Sequence, residues 1–239
     1  VLLLSSGINA QTELECKTKL SIFHEAVKAK KYDAAYEPWL YVKDNCPDLN
    51  LATYADGEKI LKHKIETSKG EVQLSFVNTL LDLWILRGEH FKSDTPQGEY
   101  EAKACQLQYD YKVELGKKTL ELFECFDTAF NSDKETFTHP KSLYTYFSLM
   151  VELFDAGKKS PTELFETYDD INEKLEVEIQ NYSEKLNILV EKVDNGETLT
   201  SGEKNKKRAY ESYLKNYTLI QKNMNVIVDK RATCENLIP

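Results

Sequence analysis

Five cysteines and four histidines are the residues of this chain whose types could do chemistry by themselves. The histidines, His24, His63, His90 and His139, stand far apart, and none falls in an HExxH or H-x3-H arrangement. The run Phe23-His24-Glu25-Ala26-Val27-Lys28 begins as a zinc-protease helix does. Lys28 occupies the place where a second imidazole must sit one turn later to share the ion, so that site is excluded. His139, directly before Pro140, reads as a helix-start residue. There is no nucleophile elbow, phosphate-binding loop or dinucleotide-binding glycine pattern. Val193-Asp194-Asn195-Gly196-Glu197-Thr198 lacks the alternating acidic ligands and closing glutamate of a calcium loop and reads as a turn. The acidic pair Asp169-Asp170 reads as solvated. The expectation is a protein with no catalytic residues, no metal site and no cofactor.

The cysteines need a compartment before they mean anything. None lies in a CxxC pair, which leaves neither a redox motif nor a zinc knuckle. The opening "VLLLSSGINA" is apolar, then small, and fits the close of a secretory signal cut at Ala10-Gln11, so residues 1–10 read as a signal remnant. The apolar run is far short of the roughly 20 residues that span a bilayer, so no transmembrane segment is expected. A lipid anchor at Cys16 is the rival, and Glu15 stands where a lipoprotein signal has a small residue. A periplasmic or secreted protein follows as the expectation, and in an oxidising compartment thiols pair.

The elements that hold these residues are read from composition and period. The 239 residues are 41% hydrophobic with 9 Gly and 6 Pro, so punctuation is sparse and an all-α fold is expected. A formal charge of −9 disfavours nucleic acid as a partner. The basic run Lys204-Asn205-Lys206-Lys207-Arg208 reads as the solvated start of a helix. Apolar spacing predicts helices over 12–29 and up to Pro47, over 51–67, and over 72–87, the last apolar on most sides and expected to be the most buried. Further helices are predicted at 99–113, 117–130 and 139–156. From Ser160-Pro161 the stripe Leu164, Tyr168, Ile171, Leu175, Ile179, Tyr182, Leu186, Leu189 and Val193 runs in steps of four and three, with one extra four after Leu175. It resumes beyond Asn195-Gly196 at Tyr210, Tyr213, Tyr217, Ile220, Met224 and Ile227. Two helices of roughly 50 and 40 Å at 1.5 Å per residue, folded back as a coiled-coil hairpin, are expected.

Two antiparallel helices put Cys16, at the start of the first, beside Cys46, at the end of the second, and a disulfide between them is predicted. Cys105 and Cys125 lie ten residues either side of Leu115. They would meet across a fold-back at Leu115-Gly116, or stand as small buried hydrophobes. Cys234 is left as the odd thiol, with its partner expected outside this stretch of chain.

Tyr32, Asp33, Ala35, Trp39, Val42 and Pro47 together resemble the second half of a tetratricopeptide repeat, in which a tyrosine opens the second helix and a small residue lets two helices approach. The chain departs from that pattern at Phe23, at Lys19 and at Pro38. The segments "KETFTHPKSLYTYF" and "ATCENLIP" also resemble the N-terminal region of exported tetratricopeptide-repeat proteins of Bacteroidetes. That resemblance implies stacked helical hairpins over 11–157, a long hairpin over 158–239 leading to further repeats, and no chemistry to carry over. The function expected is that of a non-enzymatic cell-envelope scaffold or module that holds a protein or peptide in a helical groove. A structural spacer, and a helical hydrolase with an unrecognised site, are the alternatives. Tyr36, Trp39, Tyr41 and Tyr54 cluster around the link between the first two hairpins and are expected as binding anchors, with the core as the competing place for each.

Overall fold

The computed structural model describes residues 5–233, with side chains from residue 11 onward. Residues 1–4, in the stretch expected to be a signal remnant, and Cys234 lie outside the described residues. Regular structure among the described residues is helical throughout: α1 (Ser5–Lys28), α2 (Tyr32–Asn45), α3 (Ala52–Thr67), α4 (Gly70–His90), α5 (Gln97–Asp110), α6 (Thr119–Ser132), α7 (Pro140–Asp155), α8 (Pro161–Asp194) and α9 (Ser201–Asp229). A single 3-10 turn, Lys92–Asp94, lies between α4 and α5. The all-α expectation holds.

The breaks have local causes. α1 ends because Lys30 takes a left-handed backbone (φ 57°), which lets the Lys31 N–H reach back to the Ala26 carbonyl at 2.8 Å. Gly196 does the same work after α8, with φ 83°, in the stretch expected to be a turn. α7 starts where the sequence places it: the His139 side chain accepts from the Ser142 N–H, and Pro140, which has no N–H to lose, opens the helix. α8 and α9 both begin with capping boxes, Ser160 with Glu163 and Thr200 with Glu203.

The chain forms two compact units. The first holds the residues up to Tyr100 together with Val113–Leu115; the second holds Glu101–Lys112 and the chain from Gly116. In the first unit α1 packs on α2 and α3, α2 on α3, and α3 on α4. Phe23, Ala35, Trp39, Val42, Ile60, Leu61, Val77 and Leu80 are fully buried there. In the second unit α6, α7, α8 and α9 share one core, with Phe126, Phe130, Phe137, Phe147, Leu175 and Tyr217 at its centre. The expected boundary between 11–157 and 158–239 therefore does not divide the cores: α6 and α7 belong with the long hairpin, because their aromatic faces pack into the same core as α8 and α9. α4 is also not the most buried helix. Val72 and Ile85 on it are 59% and 62% exposed, whereas nine side chains of α7 are buried, including Phe147, Leu149 and Leu153.

The long hairpin forms as its periodicity indicates. Tyr182 of α8 meets Tyr210, Tyr213 and Tyr217 of α9 at centroid distances of 5.6, 4.8 and 5.9 Å. Tyr217 also reaches beyond α8, its hydroxyl donating to the Thr138 carbonyl ahead of α7.

Candidate functional site

The first unit gathers the residues expected to bind, and it separates them. Trp39 is fully buried; its indole N–H donates to the Thr53 carbonyl at 2.7 Å, and its ring lies against the bare backbone of Gly57. Tyr54 is also buried, packed beside His90 and Phe91, and that burial pushes its hydroxyl pKa up to about 12. Neither ring has surface to offer a partner, and both are core residues. The reason is geometric: each lies on the α2 or α3 face that packs against the neighbouring helix.

Tyr36 and Tyr41 are half-buried and lie in different surroundings. Tyr36 stands edge-on to Phe76 of α4 at 5.8 Å and leans on Trp39, with the Lys64 ammonium 5.0 Å from its ring centre. Lys64 in turn bonds Asp33 at 2.7 Å, and Tyr32 packs on His63 at 5.1 Å. These contacts make a small aromatic surface where α2, α3 and α4 meet, held in place by an ion pair. Tyr41 instead turns to α1: its hydroxyl donates to Glu15 at 2.8 Å, and Lys19 sits 4.6 Å from its ring. That hydrogen bond to a carboxylate holds the Tyr41 pKa above the ordinary phenol value. The four expected anchors do not form one surface.

Cys16 and Cys46 stand in disulfide geometry with Cα atoms 6.4 Å apart, linking α1 to the end of α2. Cys105 and Cys125 do the same between α5 and α6, at 5.8 Å. Gly116, with φ 64°, lies in the fold-back between them.

Two histidine contacts join helices. His24 Nδ1 of α1 lies 2.5 Å from Asp56 Oδ2 of α3, and Lys59 takes the other oxygen at 2.8 Å. Asp56 is buried, and both its oxygens are occupied, so the group acts as a tie between helices. His63 approaches Asp33 at 3.7 Å. Among the described residues no three His, Cys, Asp or Glu side chains are placed to share a metal ion, and no helix is long and apolar enough to cross a membrane.

The second unit contains an ionic arrangement that sequence reasoning missed. Lys174 and Glu178, one turn apart on α8, are both buried and bond at 2.7 Å, and Lys174 also donates to the Glu135 carbonyl at 2.8 Å. They floor an open groove of about 620 Å³ between α8 and the connection before α7. In the sequence the place is marked only by the one irregular step of the stripe, Leu175 to Ile179, which does not show that a charged pair is buried there. A smaller cleft, about 220 Å³, lies beside Tyr146, whose hydroxyl donates to Asp127 at 2.5 Å. Burial and that carboxylate drive the Tyr146 pKa far upward.

No family model, no curated protein and no solved structure matches this chain.

Proposed function

We propose that this protein is a non-enzymatic helical scaffold of an exported, envelope-associated kind, holding a protein or peptide partner on its first unit. The observation that carries the reading is the half-open aromatic surface of Tyr36 and Phe76 at the junction of α2, α3 and α4. Aromatic rings of this kind give large contact area with few rotamers to freeze, which is why they anchor protein contacts. The succession of packing, α1 with α2 and α3, then α3 with α4, supports a degenerate tetratricopeptide-like stack. Two cysteine pairs at disulfide distance support an oxidising compartment. The engagement of both Asp56 oxygens supports a structural role for the His24 contact and so a reading without acid–base chemistry.

Capture from envelope extract tests the proposal, using the disulfide-intact protein and its Tyr36→Ala and Phe76→Ala variants. Each variant is expected to weaken capture of the same partner by about 1–2 kcal/mol, while Tyr41→Ala leaves it unchanged. Equal capture by all four proteins would overturn the assignment of this surface.

A further inference from the structure

The outward faces of the long hairpin carry a second pattern, separate from the stripe that joins α8 to α9. α8 contains ten carboxylates and three lysines; α9 contains six basic and three acidic side chains. The hairpin is therefore acidic along one helix and basic along the other. On the exposed side of α8, Glu184, Ile188 and Glu191 follow one another at steps of four and three, and Ile188 is 58% exposed. On the exposed side of α9, Lys215, Leu219 and Lys222 repeat the same steps with the opposite charge, and Leu219 is 51% exposed. Steps of four and three keep residues on one helix face, so each triplet is a short line of charge, aliphatic side chain, charge. Val177, 47% exposed, extends the α8 line, and Val226, 48% exposed, extends that of α9.

We infer that these two faces dock on each other between copies of the chain, the α9 line of one molecule lying on the α8 line of the next. The complement of each face is present on the same polypeptide, with matching spacing, which favours a second copy over an unrelated partner. In a parallel pairing Lys215 meets Glu184, Leu219 meets Ile188 and Lys222 meets Glu191 together. The two faces differ, so the contact is heterologous and leaves each molecule one further acidic or basic face to offer. Association built on exposed ion pairs around an aliphatic centre is salt-sensitive.

Sedimentation equilibrium on the disulfide-intact protein, over a range of concentrations at low and high salt, tests this with two charge-reversed proteins. One carries Lys215→Glu and Lys222→Glu; the other carries Glu184→Lys and Glu191→Lys. All four positions are exposed, and circular dichroism confirms that each variant is folded. Wild type is expected to associate with increasing concentration, roughly tenfold more weakly when added salt shortens the screening length to a few ångströms. Each variant alone is expected to remain monomeric, and an equimolar mixture of the two to regain association, because each then presents the charge the other lacks. A wild type that stays monomeric throughout would overturn the inference. So would variants that associate as wild type does, or a mixture that stays monomeric.

Discussion

At the scale of single residues, the tightest constraint is the contact of Trp39 with Gly57. A Cβ at position 57 would lie 2.7 Å from Trp39 Cε2, and the indole is pinned by its bond to Thr53. Replacing a helical glycine by alanine normally gains up to about 1 kcal/mol of helix propensity, but overpacking a fully buried ring costs about 1–3 kcal/mol. Gly57→Ala should therefore destabilise the first unit, and a denaturant titration that shows a gain would refute the close approach. The buried ion pair gives a contrasting case. Lys174→Met leaves Glu178 as an unpaired buried charge and should cost about 3–5 kcal/mol, whereas Lys174→Met with Glu178→Leu should return close to wild-type stability. A double variant as unstable as the single one would mean that the pair does more than neutralise itself. Both features show the limit of sequence at this scale. The packing pattern marks Trp39 as apolar and periodic, but not that a glycine 18 positions later receives it. Lys174 and Glu178 read as ordinary solvated charges, because burial of a charge depends on the connection before α7 that covers them.

Helix starts, breaks and pairings were the most legible features at the scale of elements. Pro140, Pro161, Lys30 and Gly196 lie at ends that local backbone rules dictate, so they can be read without knowing the partners. The capping boxes add a pH dependence. Lys159 and the Ser160 backbone N–H hold Glu163 down to about 2, and Lys192 with Thr200 holds Glu203 down to about 2. A carboxyl whose folded pKa lies below its unfolded value contributes stability that is complete above the ordinary value of 4.5 and is lost as pH falls toward about 2. Wild type should thus lose hairpin stability across that window relative to a Glu163→Gln, Glu203→Gln variant, which should follow a flatter curve of thermal midpoint against pH. Parallel curves would show that these carboxylates do not support the helix starts. The same local logic places the Cys16–Cys46 link. With its cysteines 30 positions apart, its removal should cost about 3–4 kcal/mol by chain entropy. In a Cys16→Ala, Cys46→Ala variant, amide exchange should accelerate across α1 and α2 first; unchanged protection there would exclude the clamp.

At the scale of the whole molecule the sequence was a poor guide to where one core ends. Gly157 looks like a boundary because it ends a helix, yet α7 packs on α8 and α9 and the units divide near Tyr100, within α5. A division inside a helix leaves no linker composition to read, and the aromatic residues of α6 and α7 show no sign in the sequence of which neighbour covers them. The expected grouping of the four aromatic anchors fails from the same cause. Four aromatics close in sequence suggest one patch, but helix packing buries Trp39 and Tyr54, turns Tyr41 to α1 and leaves Tyr36 with Phe76. The proposed function therefore needs the surface at Tyr36 to recognise another protein. The most direct test replaces Tyr36 with a photo-crosslinking phenylalanine analogue in the full-length protein, in the cells that make it, and reads the adducts after irradiation. The account predicts one dominant protein adduct at position 36 and none when the same group replaces Val113, which is 83% exposed. No adduct at 36, with strong adducts from the hairpin position 219 to a protein other than this chain itself, would place the function elsewhere and contradict it.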